Sequence, residues 1–431
     1  MSKRYLIVGV TALAALLLYI DRVCISILAD PIQADLELSP QQKEMALSAF
    51  FLTYALFQIP VGSLADRYGP RLVLTVSIVA WSLVTATTGL AWSFGSLLAI
   101  RLLLGLSEAG AYPAAAVLVK RWARPEERGR FSSIVAFGGR IGGAFAPTLT
   151  TTIGKLLVGV SVAGVVVAEG SINWRGVFVL YGLCGLLIAV VFWIFVSDHP
   201  PVEAEAAGVP TPDRTPIPAT PSRPAKPFIQ QLGMLVGNRG MWLFGTLQFC
   251  NNISWAFLVT LLPTYLKDAE VDISLRGYIQ TGVLLAGCGG MIIGGFVTDA
   301  VRRRLGPRWG RSVPIATMMS ICATMCAVVS SAPGLWIAVA ALCIMAMCQD
   351  LGIPSVWAYA QDVGGKNAGA ALGFGNMLGN FGAALSPVLL GAVSREGGWG
   401  AAFALCATCY VVAAISGSLL DASKPLDPND A

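Results

Sequence analysis

Runs of about 20 apolar residues recur along almost the whole chain, at 5–28, 45–65, 72–91, 94–119, 131–154, 176–197, 240–264, 277–298, 313–332, 335–360, 368–393 and 399–420. Each is long enough to cross the hydrocarbon of a bilayer as a helix. Between the sixth and seventh runs the pattern lapses, because residues 198–227 hold nine of the 24 prolines among scattered charges and cannot build a packed core. The pattern predicts an all-α membrane protein of twelve transmembrane helices. It divides into a six-helix half at 1–197, a Pro-rich linker at 198–236, a second half at 237–421 and a tail at 422–431.

Composition agrees: 55% of residues are hydrophobic and 12% charged, where about 25% charged is usual for soluble domains. Mean hydropathy is +0.70. Of the 29 Lys and Arg, 20 fall on the side that carries both termini, six on the other side and three within the runs. That bias predicts cytoplasmic termini in a multi-pass protein of the cell membrane. The net charge of +5 is then a matter of topology, and no nucleic-acid partner is implied. All ten cysteines lie inside apolar runs with no histidine nearby, so they read as small buried hydrophobes, with no metal site and no disulfide. The one histidine, His199, opens the linker and reads as an exposed loop residue. Lys3-Arg4 and the apolar run after it could pass for a signal peptide, but the run continues through Asp21-Arg22 without a cleavage pattern and is expected to stay as the first span.

Several charges sit where lipid should be. Arg101 and Glu108 lie in the fourth run, seven residues apart, which puts them on one helix face about 10 Å apart along the axis. Each ionised group at the bilayer centre costs at least about 2.5–3.5 kcal/mol, so something must compensate. A packing ion pair is the plainest explanation. The first run adds Asp21 and Arg22, however, and four charges in two helices exceed what packing needs. Asp21 and Arg101 should lie at similar depth and are expected to pair, while Tyr19 and Arg22 share a face. Tyr54 and Gln58 share a face of the second run. Arg140 falls near mid-membrane in the fifth run and Asp350 in the inner half of the tenth. Asn251 and Asn252 in the seventh run, and Asn376 and Asn380 in the eleventh, are the other polar points.

Repeats organise the chain. The second run ends in Gly62-Ser-Leu-Ala-Asp66-Arg67-Tyr-Gly69-Pro70-Arg71, a tight corner on the basic side. Gly295-Phe-Val-Thr-Asp299, followed by Arg302 to Arg304, repeats the Gly-xxx-Asp-then-basic arrangement 233 residues later. Gly142-Gly-Ala-Phe-Ala-Pro147 is echoed by Gly382-Ala-Ala-Leu-Ser-Pro387. The chain therefore reads as an internal duplication of six plus six spans. Glycines four apart, Gly138/Gly142 and Gly290/Gly294, predict close helix packing.

On these residues the chain resembles the major facilitator superfamily, and within it the anion:cation symporter family that includes sugar-acid transporters. The Gly62 to Arg71 corner is similar to the superfamily's cytoplasmic-gate motif, and Arg101-xxx-Gly105-xx-Glu108 to its fourth-helix motif. Tyr19-Ile-Asp21-Arg22, Asn173-Trp-Arg175, Asp198-His-Pro and Pro263-Thr-Tyr-Leu266 resemble the symporter family. The resemblance implies alternating access between pseudo-symmetric halves, proton-coupled symport of a small organic anion, no cofactor and a monomer. Arg22 would hold a carboxylate, Tyr19 and Tyr54 its hydroxyls, and Asp21 and Glu108 would take protons, with Arg101 tuning Glu108. Gly62, Asp66, Arg67, Gly69, Arg71, Gly295 and Asp299 would form the gate. Two departures stand out: Arg140 replaces a usually uncharged residue, and Asp350 is a third buried acid. With Asp21 and Glu108 protonated the site would carry about two surplus positive charges. A dianion held between Arg22 and Arg140, with Asn376 and Asn380 on its hydroxyls, would cancel them; otherwise Arg140 bridges Glu108 or Asp350. An exchanger or effluxer of organic anions or phosphate esters is the alternative within the fold. A membrane-embedded transferase would need a surface nucleophile or base that one loop histidine and short connections do not supply.

Overall fold

The computed structural model describes residues 3–162, 172–200, 226–331 and 334–427. Among these residues the regular structure is helical, as the apolar runs predict. Seven helical stretches among the described residues are long and apolar enough to cross a membrane, and two of them hold more than one pass. Ile273–Ser330 breaks at Gly306 (φ 74°), and Ala368–Ser418 at Gly398 (φ 73°). Only glycine takes that backbone region without strain. Resolving these corners gives twelve spans. The two that fall outside the apolar criterion are the fifth, Arg128–Leu156, which carries Arg140, and the seventh, Arg239–Ala256, which runs on through a π-turn at Phe257–Leu261 into Leu262–Asp268.

Local chemistry sets the span ends. Ser39 caps the second span, Pro40–Tyr68, in a reciprocal box with Gln42, and Ser93 does the same for Phe94–Glu108 with Ser96. Gly69 (φ 94°) and Pro70 turn the chain between the second and third spans. Gly306-Pro307 repeats that turn 237 residues later, a further echo of the duplication. The fourth span is broken at Ala109-Gly110 between Phe94–Glu108 and Ala111–Trp122, so Glu108 ends its first segment.

Glycines let the spans touch. Cβ atoms at Gly138 and Gly142 would lie 2.2 and 2.1 Å from carbonyl oxygens of the first span, and at Gly290 and Gly294 2.0 and 2.3 Å from those of the tenth. At Gly105 the nearest atom is the Phe50 carbonyl, 2.2 Å away, which brings the fourth span onto the second. Across the two sets of six helices, the second span meets the eleventh and the fifth meets the eighth.

The linker and tail both make contacts with the helices. Residues 201–225 lie outside the described residues, but 228–237 form a helix, Phe228–Gly237, whose Gln231 donates to Asn367 at 2.8 Å. The tail is anchored as well: the Leu426 N–H donates to the Val363 carbonyl at 2.8 Å, and Lys226 pairs with Asp427 at 2.7 Å. His199 is exposed, as expected, and partial loss of solvent around its ring together with neighbouring Arg121 lowers its pKa from the ordinary value.

Candidate functional site

Arg22 and Glu108 form the centre of the first set of helices. Arg22 donates through Nε (3.2 Å) and Nη2 (2.8 Å) to one Glu108 oxygen. Glu108 is fully buried and Arg22 is 13% exposed. Three rings surround the guanidinium, Tyr54 at 4.3 Å, Phe50 at 5.0 Å and Tyr19 at 5.2 Å, where cation–π attraction holds a partly desolvated charge. Arg101 reaches the same Phe50 ring at 4.9 Å.

The expected Asp21–Arg101 pair is not formed. Both residues are buried, neither carboxyl oxygen of Asp21 has a hydrogen-bond partner, and Arg101 Nε has none. Helical side chains lean toward their helix N-terminus. In the antiparallel first and fourth spans, Arg22 therefore leans toward the basic face, to the level of Glu108, while Arg101 leans the other way. Adjacent residues on a helix also point about 100° apart, so Asp21 cannot share the direction of Arg22.

Arg140 donates from Nη2 to Asp350 at 2.6 Å, linking the fifth span to the tenth, and its guanidinium lies 5.1 Å from the Trp255 ring. Tyr19 connects the two arginines: its ring faces Arg22 and packs against Gly139 and Gly143, which flank Arg140's position on the fifth span. Tyr112 continues the aromatic layer, 6.3 Å from Tyr19 and 5.0 Å from Trp357 of the tenth span.

The amides of the second set do not converge on an arginine. Asn380 donates to the Asn376 carbonyl at 2.7 Å and Asn252 to the Gln248 carbonyl at 2.8 Å, each on its own helix. Gln248 meets Asn376 at 3.4 Å. Of these bonds only the one between Gln248 and Asn376 crosses from the seventh span to the eleventh, and Asn376 and Asn380 stay partly exposed. Gln58 and the Asn251 carbonyl oxygen are buried without partners.

The duplicated corner has a specific geometry. The Asp66 carboxylate, at the end of the second span, accepts from the N–H groups of Gly369 (2.8 Å) and Ala370 (2.9 Å) at the start of the eleventh. Asp299, at the matching place on the eighth, accepts from Gly129 (2.9 Å) and Arg130 (3.1 Å) at the start of the fifth, and from Arg130 Nε (3.0 Å). Each acid caps a helix N-terminus across the two sets, where free N–H groups and the helix dipole favour an anion. Gly62 and Gly295 permit the approach: a Cβ at Gly62 would lie 2.4 Å from the Gly369 carbonyl oxygen, and one at Gly295 2.8 Å from Ser133. Around them Arg128 and Arg311 both pair with Asp362, and Lys120 donates to the Gly365 carbonyl. Arg71 binds Asp198 through its backbone N–H at 3.0 Å and the Trp193 carbonyl at 2.6 Å. Arg67 is exposed over Tyr68 and does not join these contacts, contrary to expectation.

Twelve spans in two matching sets, closed on the basic face by two copies of one capped corner, are the arrangement of a carrier. Residues 11–387 match the Major Facilitator Superfamily. The chain belongs to this superfamily. It is 29% identical to a probable sulfoacetate transporter of Cupriavidus necator, with 100% of the chain and 96% of that protein covered. It is 31% identical to a probable galactarate/D-glucarate transporter of Escherichia coli, over 75% of the chain and 73% of the relative. The crystal structure of the E. coli fucose:proton symporter shares its fold, with a TM-score of 0.69 at 15% identity over 95% of this chain and 98% of that one. Members of the superfamily are transporters, and the chain is a multi-pass membrane transporter rather than an enzyme.

Sequence reasoning missed Phe50, Tyr112, Trp255, Trp357 and the Arg128–Asp362–Arg311 cluster. The aromatic residues carry no signal in apolar runs, where a ring is the default filling. Asp362, just past the end of the 335–360 run, had a readable signal as an acid on a face crowded with arginines.

Proposed function

We propose that this protein is a proton-coupled symporter of small organic anions, working by alternating access of the halves 1–197 and 237–421 as a monomer. The Arg22–Glu108 pair carries the reading. Arg22 is the accessible member and Glu108 the buried one, so an incoming carboxylate or sulfonate meets the guanidinium first. A proton on Glu108 releases Arg22 to the substrate, and the occupied site stays near neutral as it passes between the two faces. Asp21, with no donor on either oxygen, is the second acceptor for a proton. Relatives whose names specify sulfoacetate and galactarate or glucarate support the substrate class. The excess of Lys and Arg on the terminal side supports cytoplasmic termini in the cell membrane. Asp66 and Asp299 then close the cytoplasmic side.

Thermal unfolding of the purified protein against a panel of sugar acids, dicarboxylates and sulfonates tests the substrate class. A ligand at 100 times its Kd adds about 2.7 kcal/mol, a readily measured rise in Tm. Stabilisation by neutral sugars or cations, with none by any organic anion, would contradict the proposal.

A further inference from the structure

We propose that Arg140 and Asp350 form a second anion-and-proton site, which makes this carrier selective for organic dianions. The inference rests on the anion-carrier reading above. The Arg140–Asp350 pair repeats the design of Arg22–Glu108. The shortest nitrogen-to-oxygen distance is 2.6 Å, against 2.8 Å in the first pair, where a second arginine nitrogen also reaches that oxygen at 3.2 Å. In each, the arginine is the accessible member, 17% and 13%, and the acid the buried one, 7% and 0%. Each guanidinium also lies against aromatic rings, Trp255 in one case and Tyr19, Phe50 and Tyr54 in the other. A guanidinium exposed at mid-membrane depth faces a wet cavity rather than lipid, because charge in lipid is costly.

The two arginines belong to one continuous lining. Tyr19 stands between them, with its ring against Arg22 on one side and against Gly139 and Gly143 beside Arg140 on the other. Asp350 lies on the tenth span, the counterpart of the fourth span that carries Glu108 in the duplicated arrangement. Gly287 leaves room at its second oxygen, which a Cβ there would approach to 2.7 Å.

Charge decides the substrate class. The spans hold Arg22, Arg101 and Arg140 against Asp21, Glu108 and Asp350, so the site is formally neutral only while every acid is ionised. With Asp21 still ionised, protons on Glu108 and Asp350 free both pairs' arginines and leave two surplus positive charges. A ligand with two anionic groups restores neutrality, one group on each arginine. A monoanion leaves Arg140 without a partner.

The test uses full-length protein and two probe pairs that each differ by one anionic group, D-glucarate against D-gluconate and sulfoacetate against its methyl ester. Binding constants and proton uptake on binding are measured for wild type, Arg140→Gln, Arg140→Lys and Asp350→Asn. Wild type is expected to prefer the dianion of at least one pair by about 30-fold or more, as losing a buried charged contact implies. Arg140→Gln should shrink that ratio to about threefold, Arg140→Lys should keep part of it, and Asp350→Asn should lower proton uptake with the dianion by about one. If Arg140→Gln fails to fold, the double variant Arg140→Gln/Asp350→Asn, which removes both charges, must show the same collapsed ratio. A wild-type ratio near one, or a ratio unchanged in these variants, would overturn the proposal while leaving the anion-carrier reading intact. Binding of none of the four probes would overturn both.

Discussion

Arg22 shows how much a single side chain's direction matters. Its presence in an apolar run marked it as functional, yet its partner could not be read from depth alone, and the structure pairs it with Glu108 instead of leaving Glu108 to Arg101. What decides is the lean of side chains on antiparallel helices, a property of orientation that residue spacing does not encode. If Glu108 is the coupling acid, Glu108→Gln abolishes proton-driven accumulation but leaves counterflow exchange measurable, because exchange moves no net proton. Accumulation at the wild-type level in that variant would remove Glu108 from the coupling role. Phe50 contacts both Arg22 and Arg101, so Phe50→Leu should weaken anion binding by about threefold to tenfold, in keeping with a cation–π loss of about 0.5–1 kcal/mol or somewhat more. Binding unchanged in Phe50→Leu would mean the ring only fills space.

Among elements, the duplicated corners were legible as a repeat and opaque as a contact. Gly62 with Asp66 and Gly295 with Asp299 recur as letters, but the groups they bind are backbone N–H donors at Gly129, Arg130, Gly369 and Ala370, which carry no residue identity. The turn at Gly69-Pro70 was legible, because a Gly-Pro corner is local. Asp66→Asn keeps an acceptor but loses the charge that meets the helix dipole. It should slow turnover while substrate affinity stays within about threefold, since the contact biases the equilibrium between states and does not touch ligand. A large loss of affinity at normal turnover would contradict the gate assignment. Gly105→Leu tests packing: a Cβ at this position would stand 2.2 Å from the Phe50 carbonyl oxygen, so the second and fourth spans must separate, at a cost of about 1–3 kcal/mol or more. An unchanged Tm in detergent would show that the spans do not meet there.

At the scale of the whole molecule, the twelve-span count came directly from the apolar runs, because bilayer thickness fixes helix length. The way the halves meet did not. Among the described residues, the bonds cited between the two sets of six helices lie between the basic face and the level of Arg140 and Asp350. The most direct test is uptake into proteoliposomes holding purified protein at neutral internal pH. With an acidic exterior, labelled D-glucarate or sulfoacetate should accumulate above its external concentration, and a protonophore should collapse the accumulated pool to equilibrium. Uptake that only equilibrates, or that ignores the protonophore, would contradict proton-coupled anion transport.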